Sequence, residues 1–273
     1  MPPFWVSAAV LISVQASLVV GPRPVLPRFL RRATSSAWAW ALLPVSLGAT
    51  VGLLAVVPAM ASAYAWVAAL GVPVLAALAL GAVGRGPGRL AGGPAVRGVI
   101  GGGVAALLLT VAWMGEGLLA HGCAVALTAL SACTLASYLA QLAPALVLRI
   151  ALIAMAVLDA ILVFGHLLQG PNDTLNAATV GGGLPRFQFA LFGSAAMGYG
   201  DLFVAAVLGC VIATAAHPAW PRRWVVALCV LALSALFGLL FFVVDTVPAT
   251  VPVAVALAIF EGGRWGERRR RRS

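Results

Sequence analysis

Ala154-Met155-Ala156-Val157-Leu158-Asp159-Ala160-Ile161-Leu162-Val163-Phe164-Gly165 is a run fit for lipid with a single aspartate in its midst. A second acid, Asp201, closes the tetrapeptide Gly198-Tyr199-Gly200-Asp201 inside another apolar stretch. An ionisable side chain at the middle of a membrane helix costs about 2.5 to 3.5 kcal/mol on insertion scales, so a chain that places two has a use for both. The surroundings of the pair are apolar almost throughout. Of 273 residues, 63% are hydrophobic and 9% charged, and the mean hydropathy is +1.07. A soluble domain of this size cannot cover such a surface.

A helix needs about 20 apolar residues, at 1.5 Å rise each, to cross a hydrocarbon core of about 30 Å. Hydropathy places nine candidate spans, at residues 4–21, 38–57, 61–82, 98–114, 118–137, 147–166, 188–212, 224–244 and 247–263. The 17 basic residues are all arginine, a usage that fits a GC-rich genome. Sixteen of them lie in the tail or follow the first, third, fifth and seventh spans, and Arg186 alone lies opposite. Basic residues stay on the cytoplasmic face, so the alternation puts the N-terminus outside and the C-terminus inside and requires an odd number of spans.

The expected fold is therefore an all-α polytopic membrane protein of nine transmembrane helices, with an external N-terminus and a cytoplasmic C-terminus. Residues 1–141 form the scaffold of spans one to five. Residues 142–273 hold spans six to nine and the basic cytoplasmic tail, the whole being one integral membrane unit. No cation precedes the apolar run that starts at Phe4, the first being Arg23, so this run reads as a retained span rather than a cleaved signal. The expected location is a bacterial plasma membrane. The net charge of +10 resides in connections and in the run 268–272, which suits orientation and contact with anionic lipid rather than nucleic acid. Cys123, Cys133, Cys210 and Cys229 have neither metal-site spacing nor a loop position, and read as small core residues.

Two carboxylates brought close cannot both ionise cheaply, so one keeps a proton while the other stays anionic. Such a pair works as base and acid together: the anion activates a water against a peptide carbonyl, and the protonated partner serves the collapsing intermediate. No metal or organic cofactor is required. Gly198 and Gly200 remove bulk beside Asp201 and loosen the helix, leaving polar backbone that a membrane tolerates only in protein or at a wet cavity. As packing glycines they would be unremarked without Asp201. Val247-Pro248-Ala249-Thr250-Val251-Pro252 opens the ninth span; Pro248 is expected to start the helix and Pro252 to leave carbonyls unpaired, an edge for an extended peptide. The connection 167–187, with Gly170-Pro171-Asn172-Asp173 and Gly181-Gly182-Gly183-Leu184-Pro185, argues against continuous helix and reads equally as a substrate gate or an ordinary loop.

These three elements, in this order, resemble the GxGD intramembrane aspartyl proteases, the presenilin and signal peptide peptidase family. Leu158-Asp159 followed by Val163-Phe164-Gly165 resembles the family's sixth-helix Tyr-Asp motif and its Phe-Gly, Gly198-Tyr199-Gly200-Asp201 its GxGD, and Pro248-Ala249-Thr250 its Pro-Ala-Leu. The resemblance implies that Asp159 and Asp201 are the catalytic dyad, and that Gly198, Tyr199, Gly200, Pro248, Ala249 and Thr250 help to bind substrate. It implies transmembrane-helix or signal-peptide substrates, with the orientation of signal peptide peptidases. Leu158 stands where the family has Tyr, and Thr250 where it has Leu. The literal Pro144-Ala145-Leu146 precedes the sixth span and is a decoy.

Type IV prepilin peptidases also carry a GxGD, and Met197 with Ala205, Ala206 and Gly209 fits theirs. Their acids sit near the cytoplasmic interface, however, and Lys commonly follows, whereas Leu202 and Phe203 follow here. A proton-coupled transporter is the rival of another class; no two-fold repeat of spans supports it. His166, seven residues beyond Asp159, reads as a loop-boundary residue rather than a tuner of the acids. Glu116, Asp173 and Asp245 read as solvated ends, and His121 belongs to no ligand set.

Overall fold

The structure, a computed structural model, describes residues 2–25, 60–83, 93–165, 169–178, 180–215, 219–242 and 247–270. It is mostly helical, at 82%. The helices are α1 (Phe4–Leu18), α2 (Met60–Val83), α3 (Pro94–Met114), α4 (Gly117–Leu142), α5 (Ala145–Phe164), the short α6 (Gln169–Ala177), α7 (Tyr199–Ala215), α8 (Ala219–Gly238) and α9 (Val251–Arg270). Five of them, within α2, α3, α4, α5 and α8, are long and apolar enough to cross a membrane, and α1 and α7 are shorter apolar helices. The expected span at 38–57, His166 and Asp245 lie outside the described residues.

The helix boundaries follow local chemistry. Pro144 immediately precedes α5, where its missing N–H costs nothing, so the decoy tripeptide is a helix entry. Glu116 directly precedes α4 and is exposed. Asp173 is exposed on α6, which with a 3-10 turn at Gly181–Gly183 breaks up the 167–187 connection as its turn residues imply. The last helix runs on beyond its apolar part into the basic residues.

One expected span has a different form. Residues 188–212 do not make a single helix: β1 (Phe189–Phe192) pairs antiparallel with β2 (Ala195–Gly198), and only then does α7 begin. Phe192 pairs with Ala195 across a two-residue turn whose first member, Gly193, has φ +58, the backbone that tight hairpins demand. Apolar runs of this length do not distinguish strand from helix by hydropathy, and Gly193 decides the matter. The hairpin is bolted down at its tip: Gly193 N–H donates to His121 Nδ1 at 3.1 Å, and Ser194 N–H to Ser7 Oγ at 3.3 Å.

Helix α7 is the axis of the molecule. Leu202 to Leu208 and Cys210 to Ile212 are all buried, because α1, α4, α5, α8 and α9 pack around it. A helix apolar on every side has this place in a bundle. A Cβ at Gly209 would run into the Val19 backbone, so α1 and α7 meet there at backbone contact. Helices α2 and α3 pack beside α4, which joins them to α7.

Charge is segregated along the bundle. At one end Arg223 donates to the carbonyls of Val19 and Gly21 at 3.0 and 3.1 Å, capping the end of α1, and Arg23 donates to Gly209. Arg149 at the start of α5 pairs with Glu261 of α9 at 3.1 Å, and Arg264 joins them. The hairpin, the start of α7, the end of α5 and the start of α9 occupy the opposite end. Cys123, Cys133, Cys210 and Cys229 are free thiols, the first three buried, as small core residues would be.

Candidate active site

On α5, Leu148, Leu152, Met155 and Val163 are buried, and Asp159 falls on the same stripe in steps of three and four. That stripe faces α7 and α9. Asp159 is thereby carried to the start of α9, where Thr250 gives it two hydrogen bonds. The Thr250 hydroxyl donates to Asp159 Oδ2 at 2.6 Å, and the Thr250 N–H donates to the same oxygen at 3.4 Å. The first is short, as charge-assisted bonds are. With the Arg149–Glu261 pair at the other end, α5 is tied to α9 at two heights, in antiparallel sense.

Asp201 is placed by its own tetrapeptide. It is the third residue of α7, and its Oδ2 accepts the Gly198 N–H at 3.2 Å, closing the helix entrance as an acid at that position does. A Cβ at residue 198 would stand 3.1 Å from that oxygen, so glycine leaves the carboxylate its room. Gly200 faces open space: nothing lies within 4 Å of where its Cβ would be. The helix does not unwind at these glycines; it starts at them. Both acids are half-buried, and α5 and α7, the helices that carry them, pack against each other.

Along their helices neither acid holds the central place that the sequence suggests for both. Asp159 is five residues from the end of α5, about 8 Å at helical rise, and Asp201 is in the first turn of α7. Both lie toward the end of the bundle that carries the hairpin. Among the described residues each carboxylate is hydrogen-bonded through Oδ2 alone, which leaves Oδ1 of each to share a proton or meet a water.

The residues expected to hold substrate divide. Gly198 and Gly200 flank Asp201 as described. Tyr199 turns inward: its hydroxyl accepts a hydrogen bond from Ser131 Oγ on α4 at 3.1 Å, and its ring packs against the core. Thr250 touches the acid itself. Pro248 does not start α9; it lies in the turn before it, where Val251 N–H donates to the Pro248 carbonyl at 3.3 Å. Pro252 is the second residue of the helix, a position proline tolerates, and leaves no open carbonyl edge there. The Ala249 carbonyl accepts from the Gln15 amide at 3.1 Å.

Gln15 had no place among the sequence-level candidates, nor did the hairpin tie at His121. The signal for Gln15 was present in Ile12-Ser13-Val14-Gln15-Ala16, an amide within an apolar run, where an unpartnered polar group is costly. No group of three or more metal-ligating side chains occurs among the described residues. Comparison of the chain with protein-family models, with curated proteins and with solved structures finds no match in any of the three.

Proposed function

We propose that this chain is an intramembrane aspartyl protease that hydrolyses peptide bonds of transmembrane segments with water, using Asp159 and Asp201. The observation that carries the reading is that two acids stand on packed helices at the same end of the bundle. They come from separate helices, 42 positions apart in sequence, that pack against each other, and each acid is held through one oxygen. An isolated buried acid would be explained as a helix cap or a packing accident; two acids on neighbouring helices have the composition of an acid–base couple.

In the mechanism that follows, the anionic member takes a proton from a water as that water attacks the scissile carbonyl. The protonated member donates to the developing oxyanion and then delivers its proton to the leaving nitrogen. The open space at Gly200 and the exposed edge residues Ala196 and Gly198 of β2 give an extended peptide a strand to lie beside, directly before Asp201. Cutting a helix requires that it be unwound first, and a strand edge accepts the freed backbone groups.

The full architecture proposed is nine spans with the N-terminus outside and the C-terminus in the cytoplasm, in a bacterial plasma membrane. The gathering of Arg23, Arg149, Arg223 and Arg264 at the end opposite the acids supports this orientation, and it puts the cut toward the outer leaflet. The place of Asp201 at a helix entrance favours one rival, a prepilin-type peptidase, whose acids sit near the cytoplasmic interface; the orientation proposed from the arginines argues against it, since that entrance then faces outward. Purified protein in nanodiscs should cut a helical reporter segment, and Asp159→Asn and Asp201→Asn should each abolish cleavage. Cleavage that survives either substitution refutes the proposal.

A further inference from the structure

Gln15 is fully buried, at 0% exposure, on the stripe of α1 that also carries Ser7 and Leu11. Its carboxamide is engaged at both ends. Oε1 accepts the Ser234 hydroxyl of α8 at 3.1 Å. Nε2 donates to the Ala249 carbonyl before α9 at 3.1 Å and reaches the Asp201 carbonyl of α7 at 3.5 Å. The orientation is fixed by chemistry, since two carbonyls can only accept and must face the NH₂ group. One side chain thus joins four segments of the bundle, and two of its contacts are backbone atoms of the site.

The consequence for the dyad follows bond by bond. Asp159 hangs on Thr250, Thr250 follows Ala249 in the chain, Ala249 is held by Gln15, and Gln15 reaches Asp201. We infer that Gln15 is a positioning residue which sets the separation of Asp159 and Asp201 by holding the backbones of residues 201 and 249 against each other. It touches neither carboxylate nor substrate. The cost of a buried amide is the reason to expect a task for it: apolar residues of the same size would fill this place as well for packing alone.

The inference rests on the protease reading for its consequence, and its geometry is tested apart from activity. Gln15→Met keeps the length and shape and removes all three bonds; Ser234→Ala releases only the far end of the amide. Two readouts are used in nanodiscs. The first is the rate at which a short bifunctional thiol reagent joins Gly200→Cys to Ala249→Cys, a pair that leaves Asp159, Thr250 and Asp201 in place, in a background with the four native cysteines replaced by alanine. The second is kcat and KM on the helical reporter with the acids intact. Gln15→Met should slow the cross-link at least fivefold and lower kcat by about 10- to 100-fold, with KM within about threefold, since small misplacements of reacting groups are costly. Ser234→Ala should move both in the same direction by less.

A cross-link rate unchanged in Gln15→Met overturns the inference, whether or not the protein is active. If the cross-link depends on Gln15 while the wild-type chain cuts no reporter, the positioning stands and the protease reading falls. If Gln15→Met lowers the melting temperature but leaves the cross-link and kcat untouched in the folded fraction, Gln15 only packs and the inference fails. Should Gln15→Met not fold, Ser234→Ala decides by the same two measurements.

Discussion

Thr250→Val is the substitution that isolates one bond of the site. Thr250 is 5% exposed and donates its hydroxyl to Asp159 Oδ2 at 2.6 Å; valine fills the same space without the donor. A hydrogen bond to a charged group contributes about 1.5 to 3 kcal/mol. If that much is lost from the transition state, at 1.36 kcal/mol per decade, the rate falls by about 10- to 150-fold. The N–H bond of residue 250, at 3.4 Å, survives the change and keeps the loss from being complete. Initial rates over a range of reporter concentrations in nanodiscs give kcat and KM separately, with Thr250→Ser as the control that retains the hydroxyl. Valine should lower kcat and serine should stay within about threefold of wild type. Equal losses in both would mean that the shape of the side chain counts as much as its hydroxyl, and full activity in valine would mean that the bond orients nothing used in the reaction.

Gly198→Ala should fold and lose about tenfold in kcat, because its Cβ would press on Asp201 Oδ2 at 3.1 Å, whereas Gly200→Ala, with open space around it, should leave the melting temperature unchanged and raise KM. The same pair of kinetic constants checks both, and equal behaviour of the two variants counts against the assignment. Gly209→Ala should destabilise the bundle by about 1 to 3 kcal/mol, as its Cβ collides with the Val19 backbone; a melting curve in detergent reads this, and an unchanged midpoint refutes the close α1–α7 contact. His121→Ala removes the acceptor for Gly193 N–H and should cost about 1 kcal/mol at the hairpin tip, with faster amide exchange over 193–198, while His121→Asn, which keeps an acceptor near the same place, should restore protection.

Hydropathy alone marks α2, α3, α4, α5 and α8, each long enough to declare itself, and the arginine positions already point to the end where Arg23, Arg149, Arg223 and Arg264 gather. What hydropathy cannot carry is the form of a buried apolar segment. Residues 188–212 read as one span because a buried strand and a buried helix look alike on that scale, and the only local sign of the hairpin is Gly193-Ser194 between two short apolar runs. The place of Asp201 along its helix was hidden for the same reason: once the first part of the stretch folds back as a hairpin, the acid stands at a helix entrance. Pro248 was expected to start the ninth span and Pro252 to leave carbonyls unpaired, yet with α9 beginning at Val251 the second falls where a helix accepts it.

The two acids differ in how far their geometry is written locally. Asp201 is held by a group three residues away, so Gly198-Tyr199-Gly200-Asp201 specifies both the residue and its orientation, and the motif is readable by itself. Asp159 is held by Thr250, 91 positions distant, and the segment that carries Thr250 is held by Gln15, 234 positions before Ala249. Nothing near Asp159 in sequence announces these partners. A polar residue in an apolar run shows that a partner exists, because leaving it unpaired in the membrane is costly, but the partner's identity is a property of the packing. This difference also assigns the weak point of the site: a change near Asp201 acts on one bond, whereas the position of Asp159 depends on every contact that brings α1, α5, α7 and α9 to the same end of the bundle.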